Sequence, residues 1–334
     1  MTRRFKRKLV IVILSALFLG VVGFIYAIIY DRSWIGSFTA GFLAGLSIMS
    51  FEWFVVQSKF GEPLRRSPLI VHALISASIW GLLTFLWIRL TQHAFYPPEM
   101  LPEFFSTQTL RAFAVAIVVL LCVNFVMRVG QLIGGRVLVN FLFGRYNRPR
   151  EENRIFLFLD ITDSVQITER LGALRAHSVI SRFFFDVAQI VMEHGGETHR
   201  YIGDETVVTW PQDGGVRRAA WLRCILAIRK YASEMAPSYE QEFGINLRFR
   251  AGMHCGPVVA GEVGDNKREI VYFGDTVNTS ARIEAYCKET SDSILFSREL
   301  LAATNMPLDV TTESLGMIRL RGRETPIELF RILF

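Results

Sequence analysis

The chain has 334 residues, room for one large or two modest domains, and 51% of them are hydrophobic. Its formal net charge is +6, yet no basic run is interleaved with exposed aromatics, which speaks against a nucleic-acid-binding surface. The four cysteines (Cys122, Cys224, Cys255 and Cys287) are scattered, with no Cys-x-x-Cys pair, so they indicate neither disulfides nor zinc and read as small buried hydrophobes.

The apolar residues crowd into the first part of the chain. LVIVILSALFLGVVGFIYAIIY (Leu9 to Tyr30) is uncharged and long enough to cross a hydrocarbon layer of roughly 30 Å as a helix. It is too long and too apolar for a signal peptide, and no small-residue cleavage site follows it. Similar runs span about Trp34 to Val56, Leu69 to Ile88 and Leu110 to Ile133, the last interrupted near its ends by Arg111 and Arg128. Residues 1–133 therefore read as a four-helix transmembrane bundle, an anchor and candidate sensor in the lipid bilayer. Basic residues concentrate in MTRRFKRK, in QSKFGEPLRRSP and after the fourth run (Arg136, Arg145, Arg148, Arg150), which places both termini in the cytoplasm. Glu52 lies inside the second run, near its cytoplasmic end; such a carboxylate either serves a function or snorkels to the interface.

Residues 134–153 are basic and glycine-punctuated, ended by Pro149, and read as a cytoplasmic connector. The remaining residues, 154–334, suit one globular domain. RIFLFLDI is a continuous apolar run bounded by charge, the pattern of a strand buried on both faces. ITERLGALRAHSVISRFFFDVAQIVMEHGG has helical spacing, with Phe183, Phe184 and Phe185 read as packing residues. THRYIGDETVVTW is a hairpin, and GGVRRAAWLRCILAIRKYASEM a second long helix. INLRFRAGMHCGPVVAGEVG reads as a strand that turns at Gly256-Pro257 and continues as another. GDTVNTSARIEAYCKET is a third helix, and short strands end the chain. The order β-α-β-β-α-β, with additions, is that of an α+β ferredoxin-like core.

In such a core the first strand lies beside the hairpin. Asp160 closes the strand and Asp204 sits at the hairpin tip, so the two carboxylates can meet at one end of the sheet. Carboxylates that close repel unless a proton or cation lies between them, and oxygen ligands suit magnesium or manganese. The plainer alternative is one strand-end and one turn aspartate with no metal. His199, beside Arg200, reads as a strand histidine on the open face.

FLFLDIT, GGETHRYIGDE, FRAGMHCGPVVAGEVG and FGDTVNTSARIE, in this order and spacing, resemble the class III nucleotidyl cyclase catalytic domain over about Arg154 to Phe334. The membrane part resembles the polytopic anchors of bacterial members in hydropathy only. The resemblance implies a cytoplasmic (inner) membrane protein that converts ATP to cyclic AMP and pyrophosphate. GTP is the alternative substrate, and a non-catalytic nucleotide-binding signalling domain is the alternative of another class. It further implies two Mg2+ or Mn2+ ions per site, held by Asp160, Asp204 and the Ile161 carbonyl, with Gly203 letting the turn bring Asp204 close. Asn278 and Arg282 fall on the family's transition-state pair, and Arg323 on the loop that grips the triphosphate. Taken alone, these three read as a helix-start cap, a solvated charge and a charged turn. Because the metal face and the Asn/Arg face belong to different protomers in this family, a homodimer is implied.

The chain departs from the family at the base-selecting positions, which hold Arg200 and Val271. It departs again after Asp160, where DITDSV places Asp163 and Val165 at the phosphate turn, leaving Ser164 as a donor. The short extracellular loops leave a lipid, a small molecule within the bundle or a membrane protein as candidate regulators.

Overall fold

The computed structural model describes residues 3–30, 33–56, 58–61, 63–64, 67–95, 107–134, 139–140, 142–266, 268–290 and 293–333. Arg136 of the connector, Arg65 and Arg66 between the second and third spans, and residues 96–106 before the fourth lie outside the described residues. The chain divides into two compact units, Met1–Val139 and Asn140–Phe334.

The first unit is built from α1 (Arg3–Ile29), α2 (Trp34–Ser50), α3 (Leu69–Phe95) and α4 (Thr107–Ile133). Among the described residues, four stretches are long and apolar enough to cross a membrane: Lys8–Ile29, Trp34–Val56, Val71–Phe95 and Thr109–Val126. The third helix outruns the expected Ile88 because Arg89, which donates to Gln92 Oε1 at 3.0 Å, continues the helical turn. Helices α1 and α2 meet backbone to backbone. A Cβ on Gly41 would lie 2.2 Å from the Leu19 carbonyl oxygen, so only glycine allows this approach. Helix α2 runs on into a π-helical turn, Phe51–Val56, that carries Glu52. Glu52 is 2% exposed, and the Trp53 carbonyl of the same turn accepts from the Lys8 ammonium at 2.9 Å. Cys122 also departs from expectation. It is exposed on α4, whereas Cys224, Cys255 and Cys287 are buried.

The second unit is an eight-stranded sheet, among the described residues, in the order β2-β3-β1-β4-β6-β8-β7, with β5 paired to β4. The strands are β1 (Arg150–Ile161), β2 (Glu197–Ile202), β3 (Glu205–Pro211), β4 (Phe249–Val263), β5 (Glu269–Phe273), β6 (Ile294–Ser297), β7 (Thr312–Ile318) and β8 (Ile327–Ile332). The first four, in the order 2-3-1-4, form the ferredoxin-like centre. Strand β1 begins four residues before Arg154, the expected start, because Arg150 to Asn153 continue the ladder opposite Ala260 to Pro257.

Residues Ile155, Leu157, Leu159 and Ile161 pack on one side of β1 into a core with α6 (Ala173–Glu193) and α7 (Ala220–Phe243). Phe156 and Phe158 pack on the other side with Val277 and Ala281 of α8 (Asp275–Cys287). The continuous apolar run is thus buried on both faces, as its pattern predicts. Phe183 and Phe184 join the core, but Phe185 is 58% exposed.

Three elements differ from the sequence expectation. The second long helix starts at Ala220 rather than Gly214, after left-handed residues Arg218 and Ala219, and runs on to Phe243. The first long helix is broken at Gly172 into α5 (Ser164–Leu171) and α6. Strand β4 does not turn at Gly256-Pro257 but runs unbroken for 15 residues. Pro257 falls between the stretch paired with β6 (residues 251–253) and the stretch paired with β5 (residues 259–263). There, on that edge, its missing N–H removes no ladder bond.

Candidate active site

The hairpin of β2 and β3 closes in two residues, Gly203 and Asp204. Gly203 has φ +62° and Asp204 is not left-handed, so glycine holds the first central position, where a tight hairpin needs it. The hairpin tip is tied to the end of β1: the Ile161 N–H donates to the Asp204 carbonyl at 3.1 Å. Asp160 lies opposite Glu205 on one side and Arg250 on the other. The two expected metal-ligating aspartates therefore stand on adjacent, hydrogen-bonded segments.

Both carboxylates are already engaged, each through one oxygen. Asp160 Oδ2 accepts from Arg250 Nη2 at 3.0 Å and pairs with Lys288 Nζ at 3.3 Å. Asp204 Oδ2 accepts from the Ser164 hydroxyl. Ser164, expected to offer a donor to phosphate, thus spends its proton on Asp204. Arg250 and Lys288 also pair with Glu284 of α8, at 3.7 Å each. Glu284 is 2% exposed and Asp160 4%. Glu205 is pushed up to about 7, by burial first and then by Glu284, Asp160 and Asp204 against Lys288. Burial likewise raises Glu284, and Asp160 adds to it. Burial works against a charged Lys288, but Glu284 and Asp160 outweigh it and hold the ammonium above its usual range.

Among the described residues no group of three or more His, Cys, Asp or Glu side chains is arranged to hold a metal. The donor set here is smaller and all oxygen: two carboxylates, each with Oδ1 on offer, and a strand-end carbonyl. Magnesium is commonly bound this way, by one or two carboxylates with waters and substrate phosphates completing the shell. The residues fit a hard divalent cation.

Asn278 and Arg282 lie one turn apart on α8 and share a face. Asn278 is exposed and Arg282 half-buried. Arg323 reaches the same stretch, donating to the Thr279 hydroxyl at 2.7 Å and pairing with Asp275 at 3.3 Å. Gly322 lies beside the Arg282 guanidinium, so the turn carrying Arg323 abuts Arg282. Two guanidiniums near the first turns of a helix favour an anion.

Arg200 is exposed and forms an ion pair with Glu269, two residues from Val271 on β5. Val271 is half-buried opposite Gly261. The ion pair thus ties Arg200 of β2 to the strand that carries Val271, although β5 lies beyond β3, β1 and β4 in the sheet, and adds Glu269. His199 is not on an open face. Its ring meets Tyr272 edge-on at 4.9 Å, and burial, then Arg200 and Arg154, lower it to about 4. Asp163 forms an ion pair with Arg248 at 3.3 Å, so the extra negative charge at the phosphate turn is offset. Arg250, Lys288, Glu284, Glu205 and Glu269 escaped the sequence reading. Glu284 and Lys288 are four residues apart, but what ties them, and Arg250, to Asp160 is contact between segments far apart in the chain.

The fold and site define a class. The sequence profile described as Adenylate and Guanylate cyclase catalytic domain matches residues 147–332, and the chain belongs to that class III cyclase family, a family of enzymes. Among curated relatives, Adenylate cyclase 2 of Rhizobium meliloti (strain 1021) is 31% identical over 316 residues, 93% of this chain and 87% of that protein. Adenylate cyclase 1 of the same organism is 28% identical over 181 residues, covering 53% of this chain but only 27% of its own length. A bacterial light-regulated adenylyl cyclase shares the fold with a TM-score of 0.58, at 21% identity, over 68% of this chain and 66% of that one. The adenylyl cyclase CyaB from P. aeruginosa aligns with a TM-score of 0.50, at 19% identity, over 56% of this chain and 96% of its own.

Proposed function

We propose that the chain is a membrane-anchored adenylate cyclase that makes cyclic AMP and pyrophosphate from ATP, in sites shared by two protomers. The observation that carries this reading is the bond from the Ile161 N–H to the Asp204 carbonyl, which sets Asp204 beside the strand end that carries Asp160, in a chain that also sets Asn278 and Arg282 on one helix face. The relative similar along nearly its whole length, named an adenylate cyclase, supports the same substrate.

In the reaction the ribose 3′-oxygen bonds to the α-phosphorus, the bond to pyrophosphate breaks, and the 3′-hydroxyl proton passes to solvent. Asp160, Asp204 and the Ile161 carbonyl would hold two Mg2+ or Mn2+ ions, whose chemistry is to acidify the hydroxyl and neutralise the triphosphate. Asn278 orients the ribose. Arg282 meets the charge that grows on the α-phosphate oxygens, the kind of preorganised contact that contributes most to such steps. Arg323 leaves Asp275 to grip the triphosphate, and Gly203 keeps Asp204 within reach. Four candidate spans support a multi-pass protein of a bacterial inner membrane with both termini in the cytoplasm.

Base choice is the second question. Val271 offers no hydrogen bond to an exocyclic group, and Glu269 holds Arg200. A hydrophobic wall discriminates weakly, so GTP is a competing substrate. The test is cyclic nucleotide production by the purified full-length protein with manganese and either ATP or GTP, beside Asp204→Ala. Cyclic AMP that disappears in the variant supports the reading. Absence of any product from folded protein overturns it, and equal cyclic GMP overturns the substrate assignment alone.

A further inference from the structure

The membrane unit contains a cavity of about 150 Å3 between its four helices. Small residues built into the sequence create it. Gly36, Ala40 and Ala44 of α2 recur every four residues, and Ala112 and Ala116 of α4 do the same; all five line the void. Within a bilayer, small residues at this spacing normally let helices close up. Helix α2 does so on its other side, where a Cβ on Gly45 would lie 2.8 Å from the Ala16 Cα. On the cavity side the same device leaves space.

The lining is also polarised. Leu19, Val119 and Leu120 wall it toward the middle of the bundle. Tyr26, Ser37, Thr91 and Gln92 gather where α1 and α3 end and α2 begins. Two threonines fix the chemistry the cavity asks for. The Thr84 and Thr91 hydroxyls, both buried, donate to the Trp80 and Trp87 carbonyls at 2.8 Å each. Their protons are spent on carbonyls of the turn before, so at these two points the lining offers a lone pair and a partner group there brings its own hydrogen. A void of this size lined by apolar groups takes in a molecule about as large as benzene.

We propose that this cavity binds a small lipophilic molecule carrying a hydroxyl group, taken up from the bilayer, with its apolar body against Leu19 and Leu120 and its hydroxyl donating to Thr91. The membrane unit is then a receptor as well as an anchor. Acyl chains of lipid, which carry no donor, satisfy the floor but not the mouth.

The test is 19F NMR of full-length protein in lipid nanodiscs, with 4-fluorobenzyl alcohol as probe and 4-fluorotoluene as its hydroxyl-free control. The expected result is a displaced, saturable signal for the alcohol, with affinity about three- to tenfold above that of the toluene, the worth of one hydrogen bond. Thr91→Val, nearly isosteric, is expected to bring the two probes level. Ala116→Leu fills the cavity and is expected to abolish both signals, with a cooperative thermal melt matching that of the wild type as its folding check; if it fails that check, Thr91→Val decides alone. Signals equal in wild type and folded Ala116→Leu mean partition into lipid and overturn the site. Equal affinity of the two probes in wild type overturns the hydroxyl requirement. Binding is read without turnover, so neither outcome depends on the catalytic assignment.

Discussion

Pairing two damaged protomers tests the shared site most directly. Lys288 touches Asp160, and Asn278 lies ten residues earlier on the same helix, so the helical rise alone separates them by about 15 Å. Reacting groups must approach to about 3 Å, so in the proposed shared site the metal pair of one protomer and the Asn/Arg pair of its partner meet at one α-phosphorus. Asp204→Ala destroys the metal face, and Asn278→Ala the transition-state face. Each variant alone is expected to lose activity on the order of a hundredfold or more. Co-expressed in equal amounts, they pair at random: half of the dimers are mixed, and each mixed dimer has one intact site and one doubly damaged site. Cyclic AMP formation by the membranes is then expected at about one quarter of wild type. Activity that stays at the level of the separate variants refutes the two-protomer reasoning, provided tagged copies co-purify.

Arg282→Ala is expected to lower kcat by about 10²–10³, with KM for ATP nearly unchanged, as steady-state rates would show. Val271→Asp restores a hydrogen-bonding group at the base position and is expected to raise the ratio of ATP to GTP turnover by tenfold or more, measured as kcat/KM for each nucleotide. Two titrations of opposite sign are expected in the stability of the catalytic unit. His199, lowered to about 4, stabilises fully above its ordinary 6.5 and loses that contribution as pH falls toward 4. Glu205, raised to about 7, stabilises fully below its ordinary 4.5 and loses that contribution as pH rises through 7. Thermal melts between pH 4 and 7 should therefore be flatter in wild type than in His199→Phe, whose stability falls with pH, or Glu205→Gln, whose stability rises with pH.

The parts of this chain legible in its sequence are those encoded by neighbouring residues. The apolar runs, the buried strand ending at Asp160 and the Gly203-Asp204 turn each carry a local period or turn chemistry, and they fixed where the candidate metal pair would stand. Strand β4 runs through Gly256-Pro257, a strong local turn signal, because the unbroken ladder with β1 overrides it and Pro257 meets no ladder partner on the opposite edge. The ring of charges around Asp160 was invisible for a related reason. Arg250 lies 90 residues from Asp160 and Arg200 69 from Glu269, separations that only the folded sheet closes. Spacing revealed the Asn278–Arg282 pair because both lie on one helix. The partners of Arg323 required the tertiary structure.

That ring has a consequence for metal dependence. Asp160 and Glu284 are buried carboxylates, and breaking a buried ion pair leaves a costly uncompensated charge. Here Arg250 and Lys288 supply two positive charges against those two, Glu205 takes up a proton near neutrality, and Ser164 satisfies Asp204. The cluster is balanced by the chain's own groups, so the fold does not depend on a divalent ion to neutralise it. Chelation with EDTA is expected to abolish cyclic AMP formation while leaving the thermal midpoint of the catalytic unit, Asn140–Phe334, within about 1 °C, under the 2–4 °C that loss of 1 kcal/mol costs a domain of about 150–250 residues. Lys288→Met removes one of the two cations and is expected to reverse this independence, because Asp160 and Glu284 then share Arg250 alone and a bound metal becomes part of the charge balance. A midpoint in the variant that does not respond to manganese, in protein that still melts cooperatively, would show that the ring is not what holds Asp160 ready.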